Sequence, residues 1–258
     1  MQPVANLFQG IIRAPRVSDE EYEDYCRNHP EKATCQKCNG AGMLQHRLEL
    51  GRFEYRSCQC RLPRQQEAQQ IYSGLLSNRP QTFENFKVTP GTREAFQNAH
   101  TFATGPTRCS ILTIRGGVGT GKTHLLQSIG WVSLQAGRQP KFVSVARYLD
   151  RLRATFSDDS PVSFEAVYRP LEAAQVLLLD DIGAERMTSW GQEQLYKIVN
   201  YRYQERLAMA VSMNLDEKQA VDIYGERTAD RLLDTNSGRV RVVSTGSRSY
   251  RTNQKEAR

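Results

Sequence analysis

The stretch that most constrains this chain runs from Ile111 to Leu125 and reads Ile-Leu-Thr-Ile-Arg-Gly-Gly-Val-Gly-Thr-Gly-Lys-Thr-His-Leu. Ile111–Ile114 is short, apolar and rich in β-branched residues, as a buried parallel strand requires. Gly116-x-x-x-x-Gly121-Lys122-Thr123 follows at once, and Leu125, Leu126, Ile129 and Val132 then recur at helical spacing. Strand, glycine loop and helix in that order are the context of a phosphate-binding loop. Glycines let backbone N–H groups close on phosphate oxygens without Cβ clashes, and the helix N-terminus adds partial positive charge. The expected nucleotide cradle is Gly116, Gly117, Val118, Gly119, Thr120, Gly121, Lys122, Thr123 and His124. Lys122 is expected at the β and γ phosphates and the Thr123 hydroxyl on Mg²⁺, which makes ATP the expected ligand.

A second stretch agrees with the first. Val176-Leu-Leu-Leu-Asp180-Asp181 places two carboxylates at the carboxyl end of a buried strand, where α/β sheets hold ligands. Asp180 is expected to hold Mg²⁺ through water, and Asp181 to polarise the attacking water. The strand Ala208–Met213 ends on Asn214, a polar residue at the strand tip that in isolation reads as the cap of a helix over Asp216–Ile223. Gly225 to Arg231 opens another helix, with Arg227 and Arg231 one turn apart on one face. Further helices are expected over Thr92–Phe102, Ala146–Phe156, Phe164–Ala173 and Gly191–Arg206, and further strands over Lys141–Val145 and Val240–Ser244. Arg147, Arg151 and Arg153 give the helix after the second core strand a basic face.

The N-terminal part has a different chemistry. Cys35-Gln-Lys-Cys38 and Cys58-Gln-Cys60 flank a stretch, Met43 to Tyr55, whose apolar and polar residues alternate as in a hairpin. Two cysteine pairs bridged by a hairpin can reach one tetrahedral Zn²⁺, and so small a module needs the metal to fold. The second pair is tighter than the usual spacing, so Cys26, His29 or His46 stands as an alternative for one ligand. The expected division is a zinc-binding module over residues 1–62, a helical linker over 63–79 and an ATPase domain over 80–258.

In 258 residues, 35 Lys and Arg against 28 Asp and Glu leave a net charge of +7, which favours polyanionic partners, nucleic acid first. The apolar runs are strand-sized, which excludes a membrane-spanning helix, and the first residues lack the apolar stretch of a signal peptide. A cytoplasmic protein is therefore expected, and its six cysteines read as metal ligands or free thiols rather than disulfides. Cys109, just ahead of a core strand, reads as a small buried apolar group.

Taken together, GVGTGKTHLL, VLLLDDIGAE, VNYRYQERL, SMNL, YGERTADRLLD and SYR, in this order and with TFENF ahead of them, resemble the DnaC/DnaI-type replicative helicase loaders. These are AAA+ ATPases related to the IstB-type transposition helpers, and the resemblance covers roughly residues 80–252. It implies an α/β AAA+ domain with a parallel sheet flanked by helices, preceded here by the small zinc-binding module. It aligns Asn214 with sensor 1, Arg231 with the arginine finger that reaches a neighbouring subunit's ATP, and Arg251 with sensor 2, which contacts the γ phosphate in its own subunit. Arg227 lies next to the finger. The cysteine module more loosely resembles the zinc-bearing, helicase-binding domain of DnaI-type loaders. The implied function is ATP-dependent loading of a hexameric replicative helicase onto single-stranded DNA, with self-association into a spiral on ATP and Arg147, Arg151 and Arg153 as candidate DNA contacts. The alternative is an IstB-like helper acting on duplex DNA with a transposase. One departure stands out: relatives commonly carry a hydroxyl residue directly before the sensor Asn, where this chain has Met213.

Overall fold

Strand alternation explains how this chain builds a sheet covered on both sides. In a strand, successive side chains point to opposite faces. In the strand β5 (Val176–Ile182), Val176 and Leu178 enter one apolar cluster, whereas Leu177, Leu179 and Ile182 enter another. Both faces are buried, which is why the strand reads as an unbroken apolar run rather than an alternating one.

The computed structural model describes residues 43–47, 53–57, 73–75, 79–105, 109–157, 159–183, 187–247 and 249. The chain divides into two units, Met1–Glu67 and Ala68–Arg258. In the first, β1 (Met43–Arg47) and β2 (Phe53–Ser57) pair antiparallel, with Met43 opposite Ser57 and Arg47 opposite Phe53, as the hairpin pattern predicts. The candidate zinc ligands Cys35, Cys38, Cys58 and Cys60, with Cys26 and His29, lie outside the described residues, as does Arg251. His46 falls within β1.

The second unit is a parallel sheet of five strands in the order β4-β5-β6-β3-β7, where β3 is Ile111–Arg115, β4 is Pro140–Ser144, β6 is Ala208–Met213 and β7 is Val240–Ser244. Helices α1 (Arg93–Thr104) and α2 (Lys122–Gln135) cover one face, over Leu112, Ile114, Leu178 and Ala210. Helices α3 (Val145–Ala154), α4 (Phe164–Ala173), α5 (Ser189–Gln204), α6 (Glu217–Tyr224) and α7 (Glu226–Leu233) cover the other, over Leu177, Leu179, Met209 and Val211. Because all five strands run the same way, their carboxyl ends lie along one edge of the sheet, and the phosphate loop, the acid pair and Asn214 all leave from there.

Several boundaries shift by one or two residues from expectation, and two of them have a capping reason. Helix α5 begins at Ser189 rather than Gly191, because the Thr188 side chain accepts the N–H of Gly191 at 3.2 Å. Helix α6 is capped by Asp216, which forms a reciprocal capping box with Gln219, so Asn214 is not the cap of that helix. Cys109 is half-buried and packs against the α1–α2 side of the core.

Two packing details hold the layers together. Arg202 of α5 is 0 % exposed and donates to the carbonyls of Leu171, Glu172, Ala174 and Ala208, tying the end of α4 to the start of β6. These orphaned carbonyls at a helix C-terminus attract a cation, which explains a buried arginine without a carboxylate. Leu75 is likewise buried, against the bare Cα of Gly130 in α2. Part of the expected linker is therefore built into the second unit.

Candidate nucleotide site

The phosphate loop turns between β3 and α2 and is braced from behind by backbone. Gly116 donates its N–H to the Met213 carbonyl at 3.2 Å, and Gly117 donates to the Gly246 carbonyl at 2.9 Å. Thr120 is buried, and its hydroxyl shares a 2.6 Å hydrogen bond with that of Thr245 just beyond β7. A Cβ on Gly116 would overlap the Thr245 hydroxyl, so the packing itself demands glycine there. Gly121, at φ 96°, enters α2 from the left-handed region, with Phe86 packed against its Cα.

The loop residues divide by side-chain direction. Lys122 Nζ donates to the carbonyls of Gly116 and Gly117 at 2.8 and 2.7 Å, folded back across the mouth of the loop. Burial holds its ammonium below the usual lysine range, while Asp181 and Asp180 pull the other way. Val118 points to solvent. The ring of His124 faces away from the loop. Its Nε2 lies 2.8 Å from the Thr82 carbonyl, and its ring meets Phe86 edge-on at 5.0 Å. The TFENF segment is thus a strap across the start of α2, also held where the Ser128 hydroxyl meets the Gln81 carbonyl.

The acid pair sits on a bulge. Leu179 pairs with Val211 and Ile182 with Met213, so β5 spends one residue more than β6 between these points. Asp180 keeps the face of Leu178 and turns toward α2, where the Thr123 hydroxyl donates to its Oδ1 at 3.0 Å. Asp181 is the extra residue. It adopts φ 59°, a left-handed conformation that Asp tolerates better than most side chains, and it is exposed at the strand tip. Ser212, opposite the bulge, donates to Asp180 Oδ1 at 2.6 Å and accepts the N–H of Asp181 at 2.8 Å. Burial raises the Asp180 carboxyl above its ordinary range, although the hydrogen bonds from Ser212 and Thr123 oppose the shift.

Asn214 is exposed beyond the end of β6 and shares a cleft of about 750 Å³ with Gly116, Gly117, Arg115 and Ser247. Lys122, Thr123 and Asp180 do not line that cleft. Arg231 is placed elsewhere. Its Nε donates to Asn200 at 2.7 Å, and its guanidinium lies over the rings of Tyr196 and Tyr203 at 5.4 and 5.7 Å. Only 19 % of its side chain is exposed, whereas Arg227, one turn earlier, is exposed. Arg147 and Arg151 border a groove beside β4, and Arg153 lies over Trp190.

The structure therefore brings Lys122, Thr123, Asp180 and Asp181 together, sets Asn214 nearby, and keeps Arg231 against its own chain. Sequence reading overlooked Ser212 and Thr245. Ser212 carried one signal, since it is the polar position on the face of β6 that Asp180 shares. A hydroxyl and carboxylate oxygens are the hard donors that Mg²⁺ prefers, and the residues present fit that ion beside a nucleoside triphosphate.

A five-stranded parallel sheet of this order, with a phosphate loop after β3 and an acid pair ending β5, defines an AAA+ P-loop ATPase domain. The chain belongs to the bacterial DnaA ATPase-domain family, whose profile matches residues 77–232, more than half its length. It is 28 % identical over 158 residues to the replicative helicase loader DnaC of Buchnera aphidicola subsp. Schizaphis graminum, a match spanning 60 % of this chain and 64 % of that protein. Its fold is similar to that of a crystallised DnaC helicase loader, at a TM-score of 0.54 and 18 % identity over 67 % of this chain and 98 % of the other. It is also similar in fold to the replication initiator DnaA bound to AMPPCP and single-stranded DNA, at a TM-score of 0.54 and 23 % identity over 64 % of this chain and 50 % of that one. The resemblance to DnaC/DnaI-type loaders read from the motifs is borne out, and with it the AAA+ class. Among the described residues no helix is long and apolar enough to cross a membrane.

Proposed function

We propose that this chain hydrolyses ATP to load a hexameric replicative helicase onto single-stranded DNA. The observation that carries the reading is a phosphate loop and acid pair already joined through Thr123 and Asp180, in a chain similar to a replicative helicase loader. On nucleotide binding Lys122 leaves the loop carbonyls for the β and γ phosphates. Thr123, whose hydroxyl donates its hydrogen bond to Asp180, would offer an oxygen lone pair to magnesium. Magnesium, when bound, draws charge from the phosphate oxygens. Asp181 orients the attacking water, and Asn214 and Arg251 contact the γ phosphate within the subunit. Arg231, with Arg227 beside it, completes a neighbour's site, so turnover depends on assembly into an ATP-dependent spiral.

The division of labour proposed is helicase binding by residues 1–62, connection by 63–79 and ATP chemistry by 80–258. The β1–β2 register supports a zinc site of Cys35, Cys38, Cys58 and Cys60, because it sets side by side the hairpin ends from which the two pairs lead away. Single-stranded DNA contact is supported by an aromatic face. Phe156 is 63 % exposed beside Phe164 and Trp190, with the Arg153 guanidinium 5.5 Å above the Trp190 ring, as base stacking and phosphate attraction require. The similar DnaA that holds single-stranded DNA supports the same partner.

The test is light scattering after size exclusion of the protein mixed with the replicative helicase of its source, with and without ATP. A complex with the hexamer that is lost on removing residues 1–62 is the expected result. No complex, together with ATP-dependent filaments on duplex DNA, would overturn the loader reading in favour of a transposition helper.

A further inference from the structure

The bulge in β5 poses a physical problem that one side chain resolves. An inserted residue in a strand leaves its backbone without a ladder partner. Here that residue is Asp181, and its N–H ends at the Ser212 hydroxyl, 2.8 Å away, instead of at a carbonyl of β6. The proton of the same hydroxyl goes to Asp180 Oδ1 at 2.6 Å. Ser212 is 1 % exposed, so water is a poor substitute at either contact. One buried hydroxyl therefore joins the two acids, one through its side chain and the other through its backbone.

Thr123 donates to the same oxygen of Asp180, Oδ1, at 3.0 Å. Two hydroxyls converging on Oδ1 orient the carboxylate and, among the described residues, leave Oδ2 as the oxygen to face a cation. The backbone of Asp181 is held at φ 59° by the second contact, which keeps its carboxylate at the strand tip while Ile182 returns to the core. A left-handed non-glycine residue is strained and persists only where its surroundings hold it. Met213, the next residue along β6, is fully buried on the opposite face and can do none of this.

We propose that Ser212 is a positioning residue for this acid pair: it orients Asp180 toward the metal and holds Asp181 in its left-handed conformation toward the water. The inference rests on the metal-assisted ATP hydrolysis proposed above. It assigns Ser212 a place among the outer-sphere partners that commonly tune metal affinity or activity by about 10- to 100-fold.

The experiment compares Ser212→Ala and Ser212→Thr with the unmodified chain. Melting curves first confirm that each variant folds. Mn²⁺ affinity is then read by electron paramagnetic resonance in the presence of ADP, alongside metal-free ADP affinity and the kcat and KM of ATP hydrolysis. Ser212→Ala is expected to lose about 10-fold or more in Mn²⁺ affinity and in kcat, with metal-free ADP affinity within about twofold. Ser212→Thr, which keeps the hydroxyl, is expected to recover both. If Ser212→Ala keeps Mn²⁺ affinity and kcat within about twofold, or a folded Ser212→Thr is as impaired as Ser212→Ala, the positioning role is wrong although the ATPase reading stands. If the unmodified chain binds neither ADP nor Mn²⁺, both fall together.

Discussion

Asp180 shows how much chemistry a single side chain carries here. Its carboxyl is raised by burial, so the free protein takes up a proton on it at higher pH than an unfolded chain does. Whatever stability this group gives the nucleotide-free fold is complete below the ordinary carboxylate range and is lost as pH rises through the raised value. The metal needs the ionised form. Stabilisation of the melting temperature by magnesium and ATP is therefore expected to shrink as pH falls, with a midpoint above that of an ordinary aspartate, and Asp180→Asn should flatten the profile. A midpoint in the usual carboxylate range would count against the buried geometry. Lys122→Ala is expected to weaken ATP by about 10- to 100-fold in equilibrium titration and to remove ATP-dependent assembly, since a charge-assisted contact is lost. The sequence announced Lys122, Thr123, Asp180 and Asp181 because their chemistry dictates fixed types at fixed spacing. Ser212 and Thr245 went unread because hydroxyls in strands are common, and their partners lie 32 and 125 residues away.

Elements were legible wherever burial on both faces wrote apolar runs, as in β3, β5 and β6, and wherever glycine punctuated a turn. Their ends were less so. Thr188 and Asp216 cap α5 and α6 through side chains that no hydrophobic period reports. Arg202 was equally silent, although it joins α4, α5 and β6. Arg202→Met keeps the volume but strips several buried carbonyls of their donor. It is expected to cost about 3–5 kcal/mol in urea unfolding, as breaking a buried charged network does. Gly130 makes a subtler prediction. Alanine favours a helix by about 1 kcal/mol over glycine, yet a Cβ there would lie 2.7 Å from Leu75 Cδ1 and 2.9 Å from Leu178 Cδ1. Gly130→Ala should therefore destabilise by roughly 1–3 kcal/mol. Combined with Leu75→Ala it should cost less than the sum of the two, a coupling that a double-mutant cycle in denaturant reads directly.

For the whole molecule, net charge and motif order pointed to nucleic acid but not to a face for it. The face proposed for single-stranded DNA gathers Phe156, Phe164 and Trp190, which meet only in the fold. Phe156→Ala is expected to weaken single-stranded DNA binding by about 1–3 kcal/mol in fluorescence anisotropy while leaving ATP affinity unchanged. An equal loss on Arg153→Ala with none on Phe156→Ala would show that phosphate attraction alone is at work. Arg231, proposed above as an arginine finger, is where the motif told least, because it is bound to Asn200, Tyr196, Tyr203 and the Arg227 carbonyl of its own chain. Under that proposal a solitary molecule keeps the blade sheathed. Whatever draws it out must outbid two aromatic rings, an amide and a carbonyl, so the proposal predicts that a crowd of molecules becomes active at a concentration where a lone one stays quiet.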